Sequence, residues 1–179
     1  VRLEDLGGRI CVLGPSGSGK STLANAIGEL RALPVVHLDR YRHIAGTQWQ
    51  IRADDEFTCL HDAAVRSERW VMDGNYSRLL PHRLARATGV ILLDISTAAS
   101  LVRYVRRTLG SGPRIGGLEG TREKLSWEMV SYIIKHTRPN RQRRKELFQQ
   151  LTLPKIYLRG TSAVTDFYRI EGLPRPQGK

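Results

Sequence analysis

The stretch Gly14-Pro15-Ser16-Gly17-Ser18-Gly19-Lys20-Ser21-Thr22 limits what this chain can fold into more than any other feature. It reads G-x-x-x-x-G-K-[ST], the P-loop spelling, and its context agrees with it. The apolar run Ile10-Cys11-Val12-Leu13 precedes it as a buried strand would, and Leu23, Ala26, Ile27 and Leu30 follow at helical spacing. A loop that wraps a polyphosphate must bring successive backbone N–H groups close to it, and glycine permits both the approach and the backbone angles. Residues Gly14 to Thr22 are therefore the expected nucleotide-binding loop. Lys20 can reach the β- and γ-phosphates, the Ser21 hydroxyl can ligate Mg²⁺, and the positive helix end completes the anion site.

Further strands are expected at Val35-Val36-His37-Leu38, closing on Asp39, and at Trp70-Val71-Met72, closing on Asp73-Gly74-Asn75. Gly89 to Ile95 and Lys155 to Leu158 complete the set. The fourth run is continuous and β-branched, as a strand covered on both faces should be. Helical patterns from about Ala53 to Ser67 and Leu79 to Arg86 alternate with these runs, which predicts a parallel α/β sheet with right-handed crossovers. Between the last two strands, Leu101, Val102, Val105 and Leu109 share one arc of a helix and Arg103, Arg106 and Arg107 the other. Gly110 to Gly120 is too glycine-rich for regular structure and reads as a mobile loop. A helix resumes near Thr121 with Leu125, Met129, Tyr132, Ile133 and His136 on one face, and Pro139 is expected to break or kink it. The chain reads as one domain over residues 1–179, with a lid segment at about 103–124.

Charge narrows the partners. Twenty-nine basic residues face 17 acidic ones, a formal charge of +12, which favours anions, nucleotides and nucleic acid alike. No apolar run approaches the roughly 20 residues that cross a bilayer, and the first residues lack the apolar core of a signal peptide, so a cytoplasmic chain is expected. Cys11 and Cys59 are expected to be buried thiols. The five histidines show no metal-ligand spacing with cysteine or acidic residues, so zinc is not expected.

Parallel sheets present ligands at the carboxyl ends of their strands, where the P-loop, Asp39 and Asp73 all fall. Asp73 is the candidate for the second Mg²⁺ contact, direct or through water; Asp94, inside an apolar strand, is expected to be structural. Asp39 faces the acceptor side. It can orient an acceptor hydroxyl or take its proton, while a phosphate acceptor would need it only for positioning, and a local capping role stays open. Arg42, Trp49, Arg52, Asn75 and Tyr76 are further acceptor-side candidates. Phosphoryl transfer needs positive charge around the migrating group and exclusion of water, which Arg103 and Arg107, with Arg114 in reserve, could supply from a closing lid.

With these residues in place the chain resembles the adenylate kinase-like branch of P-loop kinases, and more closely the proteins labelled DNA topology modulation protein, or FlaR-like. The resemblance rests on Val12 to Leu23, Pro34 to Asp39, Trp70 to Ser77 and Arg138-Pro139. It implies a three-layer sandwich, a five-stranded parallel sheet in the order 2-3-1-4-5 with a helical lid insertion, and adenine contacts from Arg159, Gly160, Thr161 and Ser162. Its implied activity is ATP- and Mg²⁺-dependent phosphoryl transfer to a nucleotide-like or small hydroxylated acceptor. The alternatives are a polynucleotide 5′-end kinase, docked by the basic run Arg138 to Lys145, and an ATP-gated DNA-binding regulator without transfer activity. The chain departs from such relatives at Arg40 to Gly46 and in its glycine-rich lid, the segments that would shape acceptor choice.

Overall fold

The computed structural model describes residues 1–47, 49–109, 116–117 and 126–175. Five strands, β1 (Arg9–Leu13), β2 (Val35–His37), β3 (Trp70–Asp73), β4 (Gly89–Asp94) and β5 (Lys155–Arg159), form one sheet in the order β2-β3-β1-β4-β5. Every pairing within it is parallel. Around it lie α1 (Lys20–Arg31), α2 (Leu38–Arg42), α3 (Asp54–Arg66), α4 (Leu80–Leu84), α5 (Thr97–Leu109), α6 (Trp127–Gln150) and α7 (Gly160–Ile170). This is the α/β architecture and strand order expected above.

Alternation along the strands sorts the core into two faces. Ile10, Val12, Val71, Ile91 and Leu93 pack with Leu23 and Ile27 of α1 and Phe167 of α7. Cys11, Leu13, Trp70, Met72, Val90 and Leu92 point the other way, onto Val65 of α3, Leu80 of α4 and Phe148 of α6. Helices thus cover both faces of a sheet in which β3 and β4 are buried at every position and β1 at all but Arg9, which is why those strands read as apolar runs. Each such side chain contributes roughly 1.5–3 kcal/mol by leaving water.

Several local expectations are corrected. Leu38 and Asp39 do not extend β2: they open α2. The strand lies at the sheet edge with β3 as its single neighbour, and β3 ends at Asp73, opposite His37, so the ladder has nothing further to pair with. The apolar arc of α1 is turned toward Ala24 and Gly28, leaving Leu30 exposed. A Cβ on Gly28 would stand 2.3 Å from a Val35 methyl, so glycine lets the helix settle against β2 there. Among the described residues of α5 the buried ones are Ser100 and Tyr104, while Val102 is exposed. That helix packs its backbone against the P-loop, where only a small residue fits. Helix α6 runs through Pro139, which gives up one intrahelical bond without ending it. Cys59 is exposed, and only Cys11 is buried. Among the described residues no helix is long and apolar enough to cross a membrane.

Much of the expected lid, residues 110–115 and 118–124, lies outside the described residues, Arg114 among them. So do Leu125 and the side chains of Arg107, Leu109, Met129, Tyr132, Ile133, His136 and Arg138.

Candidate active site

Strand register brings the site together at the carboxyl edge of the sheet. Val12 pairs with Asp73 and Asp73 with His37, so β1 delivers the P-loop beside the ends of β3 and β2. The loop turns through glycines where side chains could not follow. Gly17 has φ +75°, and a Cβ on it would stand 2.7 Å from the Ser100 carbonyl. Gly19, at φ +92°, hands the chain to α1, whose first residue is Lys20. Lys20 Nζ donates to the Pro15 carbonyl at 2.8 Å, which folds the lysine back over its own loop.

The Ser21 hydroxyl donates to Asp73 Oδ2 at 2.6 Å, and the other carboxylate oxygen meets His37 Nδ1. The far nitrogen of His37 contacts the Asn25 side chain at 2.9 Å. Asp73 is only 5 % exposed. Burial alone would raise its pKa, but the His37 contact, the Ser21 hydroxyl and the Lys20 charge outweigh it and hold the carboxyl below the usual carboxylate range. An anionic carboxylate beside a hydroxyl at the root of a phosphate-binding loop is an oxygen donor set that suits Mg²⁺. Gly116 packs against this cluster: a Cβ there would lie 2.9 Å from both Ser21 Oγ and His37 Nδ1. Arg40 holds the neighbouring Gly117 carbonyl at 3.0 Å.

Asp39, in the first turn of α2, accepts the Tyr76 hydroxyl at 2.7 Å. The Tyr76 pKa is pushed up by burial, then by Asp39 and more weakly by Asp73, so the phenol feels both carboxylates. Its ring lies 5.0 Å from Phe57. Arg103 reaches from α5 to the Ser18 carbonyl at 2.7 Å, beside the loop that would hold the phosphates.

Other expected site residues take different positions. The Asn75 side chain reaches the loop: its amide donates to the Gly14 carbonyl at 2.9 Å and accepts from the Gly14 N–H at 3.2 Å. Arg42 is occupied by the Arg52 carbonyl and Asp54, and Arg52 by the Tyr41 carbonyl and Glu56. Both arginines therefore brace the start of α3. Trp49 meets the edge of the His43 ring at 5.1 Å. Arg159, Gly160 and Thr161 line a cavity of about 280 Å³ with Asp94, Ile95, Ser96, Ala99 and Arg141, while Ser162 is exposed outside that lining. Asp94 accepts hydrogen bonds from Arg141 and from the Tyr157 hydroxyl.

Sequence reasoning missed His37 and Arg83. The signal for His37 is a polar side chain ending an apolar edge strand. Arg83 has no comparable signal: it is 1 % exposed and donates to the Asn75 carbonyl at 2.6 Å, so α4 supports the residue that clamps the P-loop.

No family model matches the chain, and no curated protein matches it in sequence. Solved structures do. A 1.7 Å crystal structure of shikimate kinase from Bacteroides thetaiotaomicron aligns with TM-score 0.54 and 17% identity, covering 93% of this chain and 99% of that one. Shikimate kinase from Acinetobacter baumannii in complex with shikimate aligns with TM-score 0.57 and 15% identity, covering 91% and 90%. At these identities the likeness is one of fold, spanning nearly the whole chain.

Proposed function

We propose that this chain is an ATP- and Mg²⁺-dependent phosphotransferase whose acceptor is a small molecule bearing a hydroxyl group, nucleoside-like or otherwise. The observation that carries this reading is a single cluster: Ser21 bonded to Asp73 at the root of the P-loop, with the Asp39–Tyr76 pair standing at the end of the neighbouring strand. Both solved neighbours are kinases by name, one holding shikimate, which supports a small acceptor within the adenylate kinase-like branch.

In this reading the loop amides and Lys20 bind the β- and γ-phosphates, Lys20 exchanging the Pro15 carbonyl for phosphate oxygen. Ser21 and Asp73 hold Mg²⁺, directly or through water, which would neutralise charge on the phosphates. Arg103 adds positive charge from α5, and Arg107 is the second candidate for that role. The cavity beside Arg159, Gly160 and Thr161 takes the adenine. Asp39 accepts the proton as the acceptor oxygen bonds to the γ-phosphorus and the bond from that phosphorus to the ADP oxygen breaks. Tyr76 keeps the Asp39 carboxylate aimed through its hydroxyl.

The test is transfer of label from γ-labelled ATP, with Mg²⁺, to a panel of small hydroxylated metabolites, nucleosides, nucleoside monophosphates and 5′-hydroxyl oligonucleotides. Label on a hydroxylated small molecule, falling by at least about 100-fold in a folded Lys20→Ala variant, is the expected result. Transfer confined to oligonucleotides, or wild-type turnover in that variant, would overturn it.

A further inference from the structure

We propose that His61, Asp62 and His82 form a binding site for a divalent transition-metal ion of borderline softness, such as Zn²⁺, that pins α3 to α4. Nothing in the sequence marks it, because His61 and Asp62 adjoin on one helix while His82 comes from another. The fold closes that separation. Asp62 Oδ1 lies 2.7 Å from His61 Nδ1 and 2.9 Å from His82 Nδ1, and the three donor atoms lie within 4.8 Å of one another. The two imidazoles meet edge to face, with centroids 6.1 Å apart. Two histidine nitrogens and a carboxylate oxygen converging on one point form a donor set for Zn²⁺, Ni²⁺ or Cu²⁺ rather than for Mg²⁺ or Ca²⁺. The site shares no residue with the Ser21–Asp73 cluster.

The side chains differ in freedom as a site requires. His61 is fully buried with its ring near Phe57, so its position is fixed, whereas Asp62 and His82 are 32 % and 48 % exposed and can adjust. A tetrahedral ion with bonds of about 2.0–2.1 Å spaces its ligand atoms roughly 3.4 Å apart. The exposed pair must therefore open by about half an ångström, and water can complete the coordination from their side. Burial lowers the His61 pKa, with Arg83 adding to the effect and Asp62 opposing it.

Protons set the strength. An ionised carboxylate only accepts, so without metal both Nδ1 atoms carry hydrogen toward Asp62. Binding moves those hydrogens to Nε2. The half-exposed His82 can turn its Nε2 to water, but among the described residues the buried His61 Nε2 has no hydrogen-bond partner. That loss, together with the nearby Arg83 charge, places the expected affinity in the micromolar range rather than the nanomolar.

The experiment is Zn²⁺ titration of the metal-free full chain by calorimetry and thermal melting, without nucleotide. One ion should bind per chain and raise Tm by roughly 5 °C at a hundredfold excess over Kd, while Mg²⁺ at the same concentration does not replace it. His82→Ala and the shape-preserving Asp62→Asn should each weaken binding by at least about tenfold, and Asp73→Asn should not. Absence of saturable Zn²⁺ binding, or binding that survives in both His82→Ala and Asp62→Asn, overturns the proposal. Loss in Asp73→Asn alone would assign the ion to the P-loop and overturn it equally.

Discussion

Asp94 ties the end of β4 to α6 and β5 through Arg141 and the Tyr157 hydroxyl. Burial raises its pKa, yet those two partners, with Arg159 beyond them, hold it below the usual carboxylate range. A carboxyl depressed on folding contributes stability above its unfolded pKa of about 3.9, and that contribution drains away as pH falls through the folded value. Asp94→Asn should accordingly cost about 1–2 kcal/mol near pH 7, since Arg141 is half-exposed and can turn to water, and almost nothing near pH 2. Urea unfolding at both pH values checks this, and an equal cost at both would assign the residue to packing instead. The cysteines give a second residue-scale prediction. Burial pushes the Cys11 thiol up to about 11, whereas Cys59 is exposed. A thiol reagent near neutral pH should modify Cys59 alone in the native chain and both cysteines in denaturant, read by mass spectrometry. The sequence shows why Lys20, Ser21 and Asp73 matter, because a motif and a strand end carry them. It hides the contacts of His37 and the exposure of Cys59, because both depend on which neighbour each side chain meets across the sheet or on a helix face.

At the scale of elements, the P-loop depends on a support that no loop residue supplies. Arg83 of α4 holds the Asn75 carbonyl, and Asn75 grips both backbone polar groups of Gly14, so α4, the turn after β3 and the first P-loop residue form one chain of contacts. Truncating Asn75 removes both bonds at a part-buried site. Asn75→Ala should lose about 1–3 kcal/mol of stability. Because the lost contacts shape the loop rather than meet the reacting atoms, it should also weaken ATP binding more than it slows turnover at saturation. A variant that lost turnover with unchanged ATP affinity would return Asn75 to the acceptor side. The strands were legible because hydrophobic runs bounded by glycine, proline and aspartate mark them, and their order followed from the P-loop resemblance. Helix faces were less so. The buried arcs of α1 and α5 are set by close approach at Gly28 and Ser100, a backbone-to-neighbour fit that periodicity does not encode. Arg42 and Arg52 show the same limit: sequence shows a charge but not the Asp54 and Glu56 that meet it.

Across the whole molecule the excess of positive charge is the property that composition states most firmly and the fold divides most unevenly. Part of it is spent internally, as Arg83 lies buried beneath the site and Arg103 turns to the P-loop. Within the basic run on α6, Arg141 is committed to Asp94, and the exposed Arg143 and Lys145 are the nearest candidates for phosphate contacts. Two such contacts release about two counterions, so duplex DNA should bind weakly, without sequence preference, and lose roughly 12-fold in affinity between about 50 and 200 mM salt. Nucleotide should leave that binding unaltered, because Arg143 and Lys145 lie outside the lining of the cavity assigned to the adenine, to which Arg141 of the same run belongs. Fluorescence anisotropy of a labelled duplex across a salt series, with and without ATP, measures both quantities. A shallow salt dependence with tight binding retained at about 150 mM, or an ATP-dependent change in affinity, would point to a nucleic-acid regulator. Weak, salt-sensitive and ATP-independent binding assigns the charge of α6 to a solvated helix face and leaves the carboxyl edge of the sheet, with Lys20, Ser21, Asp73 and Asp39, as the place where this chain meets its anions.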